Sequence, residues 1–318
     1  MTSARPRVPL LVVGDLMVDT VVKVAREPTW GADQNSTITR RVGGQGANTA
    51  AWLAWKGVPV SLLATCGHDQ EGQWALGQLD AMGVMAHVER VDGNTGLCVV
   101  IVDGDGERTM FSDAGANVRA ANDVSPTWDS ALNLSMDRHV HLSGYFLDRD
   151  PILAARILDA CVDTGASVTV SLDASALPAT AAHRSAVTSL LPRLDILLGT
   201  VNELAALLPA EPAGIPLRMD AVDVAGRWRE QAGFRGVVVV KEGAAGASAD
   251  AGTGTHRAPA QVGSVVDTTG AGDAFAAGFL AAWTLDPLDL DTALVSGIDV
   301  ATVAIGTVGG SPPVREGR

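Results

Sequence analysis

Residues 267–283 read Asp267-Thr268-Thr269-Gly270-Ala271-Gly272-Asp273-Ala274-Phe275-Ala276-Ala277-Gly278-Phe279-Leu280-Ala281-Ala282-Trp283, a turn of small residues running straight into an apolar helix. Glycines let a backbone approach a ligand closely, and the first amides of a helix lack intrahelical acceptors and carry the positive end of its dipole. The turn is therefore expected to form an anion hole. Asp273 falls in the first helical turn, beside the anion, where a carboxylate can take a proton from an attacking hydroxyl. The competing reading is an acid that only balances the helix dipole, with glycines that only pack tightly.

Upstream, short apolar runs alternate with longer Ala/Leu-rich stretches. Runs at 10–13, 60–64, 99–102, 140–142, 168–172, 196–198 and 237–240 read as strands, several without the polar alternation of a half-exposed sheet. The stretches 50–56 and 152–162 have helical length and composition. Together they predict an α/β protein with a central, mostly parallel sheet. Two segments, about 18–42 and 95–113, are more polar and strand-like, the second holding the hairpin signal Asp103-Gly104-Asp105-Gly106. They form either a small separate sheet or edge strands of the main one. The stretch 209–216, with three prolines and a glycine, reads as a loop before a helix around 221–231. No repeat, low-complexity tract or linker divides the chain, so one domain over 1–318 is expected.

A second glycine cluster, Gly43-Gly44-Gln45-Gly46-Ala47-Asn48, opens a helix predicted over 49–56. With Thr49 at the closing position it is not a dinucleotide fingerprint. Its amides and Asn48 suit the hydroxyls of a polyol, or else the helix start simply packs closely. After the first apolar run, Gly14-Asp15-Leu16-Met17-Val18-Asp19 sets two carboxylates four residues apart, at the place where open α/β sheets bind ligands. These carboxylates either accept sugar hydroxyls or are solvated loop acids. His139 and His141 flank Val140 without a third ligand nearby and read as structural, not metal-binding. The seven tryptophans, with Trp52 and Trp55 at helical spacing, read as core residues.

Composition narrows the partners. The 318 residues, 47% hydrophobic and 19% charged with 35 Gly, describe a folded chain, not a disordered or coiled-coil one. A net charge of −13, from 36 acidic against 23 basic residues, offers no footprint for nucleic acid or an anionic membrane. A small-molecule partner is expected. The lysines are Lys23, Lys56 and Lys241; none follows a glycine, so a Walker A loop is excluded. No GxGxxG follows the first strand, which counts against a dehydrogenase. Cys66, Cys98 and Cys161 are odd in number and form no CxxC, so they read as reduced core residues. The apolar run after Arg5 and Arg7 stops at Asp15, too short for a membrane span and without a cleavage pattern, and a cytoplasmic protein is expected.

These pieces, in this order, resemble the ribokinase-like, or PfkB, family of carbohydrate kinases over nearly the whole chain. Gly43 to Asn48 is similar to its N-terminal GGxGAN signature, and Asp267 to Asp273 to its C-terminal DTxGAGD signature. The 14–19 strand end, Ala114-Gly115-Ala116-Asn117 and Lys241-Glu242-Gly243-Ala244-Ala245-Gly246 are further likenesses. The resemblance implies a three-layer sandwich around a mostly parallel sheet. The segments 18–42 and 95–113 would be a β lid that closes over the sugar and builds a homodimer. It implies ATP-dependent transfer of the γ-phosphoryl group to a primary hydroxyl of a sugar or sugar derivative, with Mg²⁺ and K⁺. The alternatives are a nucleoside kinase of the same fold and a non-catalytic ligand-binding relative.

By the same resemblance Asp273 is the general base, and the amides of Gly270, Ala271 and Gly272 form the anion hole. Asp15, Asp19, Gly44, Gln45, Gly46, Asn48 and Ser143 hold the acceptor. Asn202, Lys241, Gly243, Gly246 and Gly272 line the nucleotide site. Asp267 and Thr269, with Ala304, Thr307 and Gly309, form a monovalent-cation site. The chain departs from the family pattern at Ala205, which stands where an NxxE glutamate is usual, leaving Glu203 as a neighbouring candidate for that role. Gln45 replaces a lysine, Met17 an asparagine and Ser143 an acidic position of the true ribokinases, so the pocket is more apolar than one built only for ribose. Another sugar, a sugar acid or a nucleoside would suit it.

Overall fold

The computed structural model describes residues 8–25, 31–104, 108–118, 124–132, 136, 138–163, 165–174, 180–208, 219–261 and 263–313. Its strands are β1 (Leu10–Val13), β2 (Met17–Lys23), β3 (Thr37–Gly43), β4 (Val60–Gly67), β5 (Met85–Val91), β6 (Gly96–Val102), β7 (Arg108–Asp113), β8 (Arg138–Ser143), β9 (Val168–Asp173), β10 (Ile196–Thr200), β11 (Val237–Lys241), β12 (Ala247–Asp250) and β13 (Thr255–Ala258). Its α-helices are α1 (Gln45–Trp55), α2 (Gln70–Ala81), α3 (Asp129–Leu132), α4 (Gly144–Arg149), α5 (Pro151–Val162), α6 (Ala181–Leu190), α7 (Val201–Leu207), α8 (Ala221–Glu230), α9 (Ala271–Trp283) and α10 (Leu290–Ile305).

Nine strands form the main sheet in the order β13-β12-β11-β10-β9-β8-β1-β4-β5. From β11 to β5 every pairing is parallel, while β12 and β13 add an antiparallel edge. The apolar runs explain this. Along β1, Leu10 and Val12 join a core with Trp52 of α1 and Phe279 of α9, while Leu11 and Val13 join a second core with Trp128, Ile157 of α5 and Trp228 of α8. Alternate side chains point to opposite faces, so a strand covered on both faces is apolar throughout. The result is three layers, helix, sheet and helix.

The second sheet has four strands in the order β3-β2-β6-β7. It contains the described parts of 18–42 and 95–113, which therefore do not edge the main sheet. Met17, Val21, Cys98, Val100 and Val102 are buried on this sheet, whereas Ile38, Leu97, Val99 and Phe111 are exposed. Val99 and Phe111 are cross-strand partners.

Some expectations need adjustment. The helix placed at 49–56 begins at Gln45, so the glycine cluster supplies its first turn as well as its approach. β5, β12 and β13 were not foreseen. The 209–216 loop, Asp105-Gly106, and Arg5 and Arg7 lie outside the described residues. The three cysteines are free and buried. Among the described residues no helix is long and apolar enough to cross a membrane.

Candidate active site

The ends of β1, β8, β9 and β11 converge with the first turns of α1 and α9. Asp15, just past β1, accepts the N–H groups of Gln45 at 3.2 Å and Gly46 at 3.3 Å. Ser143 Oγ, at the end of β8, lies 3.1 Å from Asp15 Oδ1 and 2.6 Å from Gln45 Oε1. Gln45 Oε1 also accepts the Gly144 N–H at 3.1 Å. Asp15, Gln45 and Ser143 thus make one buried network. Gly44, at the N-terminus of α1, sits at φ +92°, where a Cβ would lie 2.6 Å from the Asp15 carbonyl oxygen; no other residue fits that turn. Asp19, on β2, is buried against Gly43, where a Cβ would collide with its carboxylate. Burial, and then the Asp15 and Asp267 carboxylates, push Asp19 up to about 7.

The start of α9 meets this network from the other end of the sequence. Gly270 is left-handed at φ +71° and packs on Gly310, and no side chain caps the helix. Of the expected anion-hole amides, that of Ala271 makes a long, 3.3 Å bond to the Thr268 carbonyl. Asp273 accepts Asn48 Nδ2 at 2.9 Å, which joins the two glycine motifs across 225 positions. Burial pushes Asp273 up to about 8; the Asn48 hydrogen bond and Lys241 oppose this, while Asp173 and Asp15 add to it. A carboxylate titrating there is matched to proton transfer near neutral pH.

Lys241, at the end of β11, places Nζ 2.7 and 2.9 Å from the two oxygens of Asp173 at the end of β9. Its Nζ also lies 3.3 Å from where a Cβ on Gly272 would be, so the ammonium stands beside the expected anion hole. Burial works to lower the Lys241 pKa, but Asp173, Glu203 and Asp273 outweigh it and hold the ammonium charged. Asp173 was not foreseen. Its signal was available: it is an acid at the end of a predicted strand, as Asp15 is.

Other expected positions are placed as follows. Asn202 is exposed in the first turn of α7, beside the β10–β11 pair in which Thr200 lies opposite Lys241. Glu203 is spent on a capping box, accepting the Thr200 N–H at 2.8 Å while Thr200 Oγ1 accepts its own N–H at 3.3 Å. Ala205 is buried. Gly243 opens an exposed 3-10 turn (Gly243–Ala245), and Gly246, beyond it, packs on the β13 backbone.

Asp267 accepts the amides of Thr269 and Gly309, each at 2.8 Å, and Thr269 Oγ1 is buried without a hydrogen-bond partner. The Ala304 carbonyl accepts both Thr307 N–H at 3.0 Å and Thr307 Oγ1 at 2.9 Å. Asp267, Thr269 and Gly309 are therefore brought together, while Ala304 and Thr307 bond to each other. Arg108 of β7 hydrogen-bonds Thr268 Oγ1, and Arg41 of β3 packs against Gly309, so the second sheet lies against this loop. His139 and His141 share Ser171 Oγ, each at 2.7 Å, and His139 Nδ1 is 2.9 Å from Thr169 Oγ1. Burial, with a smaller contribution from His141 and Lys241 respectively, holds both near 3, so both rings are neutral.

A family model described as "pfkB family carbohydrate kinase" matches residues 9–316. An ATP-dependent ribose-1-phosphate kinase of Halopiger xanaduensis is 31% identical over 288 residues, 90% of this chain and 88% of its own length. Among solved structures, adenosine kinase from Sinorhizobium meliloti superposes with a TM-score of 0.77 at 22% identity, covering 96% of both chains. Arabidopsis thaliana ribokinase complexed with ribose and ATP gives 0.74 at 24% identity, covering 96% of this chain and 94% of that one. At those identities the two structures establish the fold.

Proposed function

The chain belongs to the PfkB family of carbohydrate kinases, and from that membership we propose that Asp273 deprotonates a primary hydroxyl of a sugar or sugar derivative as it attacks the γ-phosphorus of ATP. The observation that carries this reading is the Asn48–Asp273 hydrogen bond, which fixes a carboxylate titrating near 8 at an uncapped helix start. The amides of Gly270, Ala271 and Gly272 and the Lys241 ammonium stabilise the phosphoryl oxygens, since fixed donors in a dry site act without reorganisation. Asp173 holds Lys241 in place. Asp15, Gln45 and Ser143, with Asp19, Gly44, Gly46 and Asn48, hold the acceptor hydroxyls. Asn202, Gly243 and Gly246 line the nucleotide side.

Mg²⁺ bound to the nucleotide would supply neutralisation of the phosphate charge. Glu203, committed to its capping box, does not replace the glutamate missing at Ala205. The orphaned Thr269 Oγ1 beside Asp267 suits a monovalent cation such as K⁺; the Ala304 carbonyl, with two donors already, does not contribute. The second sheet is the lid: Arg108 brings it onto the 267–270 loop and Arg41 onto Gly309, and closure keeps water from the phosphoryl group. Its exposed face, with Ile38, Leu97, Val99 and Phe111, is the surface on which a homodimer would form. Three buried free cysteines suit a reducing, cytoplasmic compartment.

The test is ADP release with Mg-ATP over a panel of sugars, sugar phosphates, sugar acids and nucleosides, with and without K⁺. ADP release with a sugar derivative is the expected result. Turnover of nucleosides alone would move the assignment to a nucleoside kinase, and none with any acceptor would support a ligand-binding relative.

A further inference from the structure

A column of polar side chains runs through the main sheet beneath the Lys241–Asp173 pair. β8 and β9 set His139, His141 and Ser143 opposite Thr169, Ser171 and Asp173. Residues two apart on a strand share a face, and this face is the one under α9, where the His139 and Trp283 rings meet at 5.6 Å. The flanks are apolar. Leu10 and Val12 of β1 lie opposite His139 and His141, and Ile196 and Leu198 of β10 lie opposite Ser171 and Asp173. Polar groups on a core face are costly unless they bond to one another.

Here the bonds are continuous. Thr169 Oγ1 meets His139 Nδ1, His139 Nε2 meets Ser171 Oγ, and Ser171 Oγ meets His141 Nδ1, at 2.9, 2.7 and 2.7 Å. Ser171 is fully buried, and its Oγ has no partner but these two rings among the described residues. Its single proton therefore goes to one ring nitrogen, and the other ring must donate an N–H to its oxygen. Each neutral ring carries one N–H, so the choice at Ser171 sets both. Either both rings are protonated at Nδ1 and every proton points toward Thr169, or both are protonated at Nε2 and every proton points away from it.

The two ends of the column differ. Thr169 is half-buried near the start of β9, at the opposite end of the strands from the site. His141 Nε2 lies at the end nearer the site and is buried with no hydrogen-bond partner. Asp173 stands one step beyond Ser171 on the same face, diagonal to His141, and its charge acts on Asp273. A buried nitrogen without a partner calls for an explanation, and the open end of a chain supplies one.

We infer that this column is a proton path from the phosphoryl-transfer site to solvent at the far end of the strands, with His141 and His139 as its relays. That its cargo is the acceptor's proton rests on the kinase reading. Asp273 takes that proton from the attacking hydroxyl, and a closed lid leaves no bulk water to receive it. Asp273 passes the proton, directly or through one water, to Asp173, which hands it to His141 Nε2; both acids end as carboxylates. His141 gives its Nδ1 proton to Ser171, Ser171 gives its own to His139 Nε2, His139 gives its Nδ1 proton to Thr169, and Thr169 releases one to water. One proton enters, one leaves, and neither ring is left charged. When the lid opens, the same shifts run backward, the proton on His141 Nε2 leaves through the open site, and the column is reset.

The test has two parts. The first is NMR of isotope-labelled histidine nitrogens in the chain without ATP, with His139→Gln and His141→Gln to assign the two rings. Both rings are expected in the same tautomer, or exchanging together. Opposite tautomers, with N–H at His139 Nε2 and His141 Nδ1, would make Ser171 a double acceptor that relays nothing, and would overturn the path. The second follows protons with a pH-sensitive dye through a single turnover, in a viscogen that slows product release, with Mg-ATP and an acceptor that yields ADP. The proteins are the wild type, Thr169→Val, Thr169→Ser and Ser171→Ala, each checked for an intact melting transition. The wild type and Thr169→Ser are expected to release a proton in step with phosphoryl transfer. In Thr169→Val and Ser171→Ala that early proton is expected to be lost and to appear about tenfold later, at the pace of product release. An early proton retained in both folded variants, or absent from the wild type, overturns the path and leaves the kinase standing. ADP from no acceptor sinks the kinase, and the tautomers, which need no turnover, then decide the path.

Discussion

Helices α1 and α9 begin on a positive-φ glycine with no side chain closing the first turn, while α2, α5, α6, α7, α8 and α10 each begin on an Asp or Thr that accepts a first-turn amide. Omitting a cap costs about 1 kcal/mol. Among the described helices of seven residues or more, the two that omit it are the two that face the site; the six-residue α4, whose Ser143 also makes no cap bond, begins beside them. They differ in what fills the gap. At α1 the chain supplies its own anion, Asp15, which reaches over from β1 to the amides of Gln45 and Gly46. At α9 no side chain arrives, and the helix start stands open beside Asp273 and Lys241. On the proposed reading, one end anchors an acid that faces the acceptor, and the other takes the phosphoryl group.

The strongest way to break this contrast is Asp273→Asn. It is expected to lower kcat by about 10²- to 10⁴-fold, the usual worth of a positioned base, with ATP affinity retained. Near-normal turnover would remove Asp273 from the chemistry. The same variant has a stability signature. Because the folded Asp273 pKa is raised from 3.8 to about 8, the native state binds the proton more tightly than the unfolded chain. Its contribution therefore falls as pH rises from about 4 to 8, and Asp273→Asn should be roughly 1–3 kcal/mol more stable than wild type at pH 8 with no gain at pH 4. Denaturant titration at the two pH values checks it. Asp19, raised to about 7, acts with the same sign.

A second test is the pH profile. If the open end works with a base titrating near 8, kcat/KM should rise with unit slope from pH 6 and level off above 8, roughly 100-fold in all. A flat profile across that range would contradict it. Asp15→Asn probes the filled end. Weakening the anion on Gln45 and Gly46 should raise the acceptor KM about tenfold, with a smaller change in kcat, since the damage lies on the binding side. The smallest effect belongs to an ordinary capped helix away from the site. Thr180→Ala, which removes the acceptor for His183 N–H at the start of α6, should cost about 1 kcal/mol and leave kcat unchanged.

The two helix starts also show what was legible in the sequence. β1 and β11 were readable because strands covered on both faces must be apolar at every position. The 267–273 turn was readable because its glycines run into an unbroken apolar helix. The start of α1 was placed four residues late, since Gly46 and Asn48 are poor helix formers and the turn is held by Asp15, a contact across 30 positions. β12 and β13, four residues each and containing Ala, Ser, Asp and Arg, carry no strong strand pattern; β12 is held by pairing with β11, and β13 by pairing with β12. The fate of Glu203 was readable in principle, because Thr200-x-x-Glu203 is a capping-box spacing. The Lys241–Asp173 pair was not, because only the assembled sheet brings the ends of β9 and β11 within reach across β10.

The bond between Asn48 and Asp273 has company: Trp52 Nε1 donates to the Gly310 carbonyl at 2.8 Å, and Ser311 Oγ to that of Val42 at 3.0 Å. The first sixth of the polypeptide is thus tied to its last stretch, over the reacting groups. A nascent chain on the ribosome, whatever else it has folded, lacks the proposed base until residue 273 has emerged and lacks the tie to Trp52 until residue 310 has. Competence to spend ATP arrives late in synthesis, so unfinished chains hold acceptor-side residues without the means to phosphorylate.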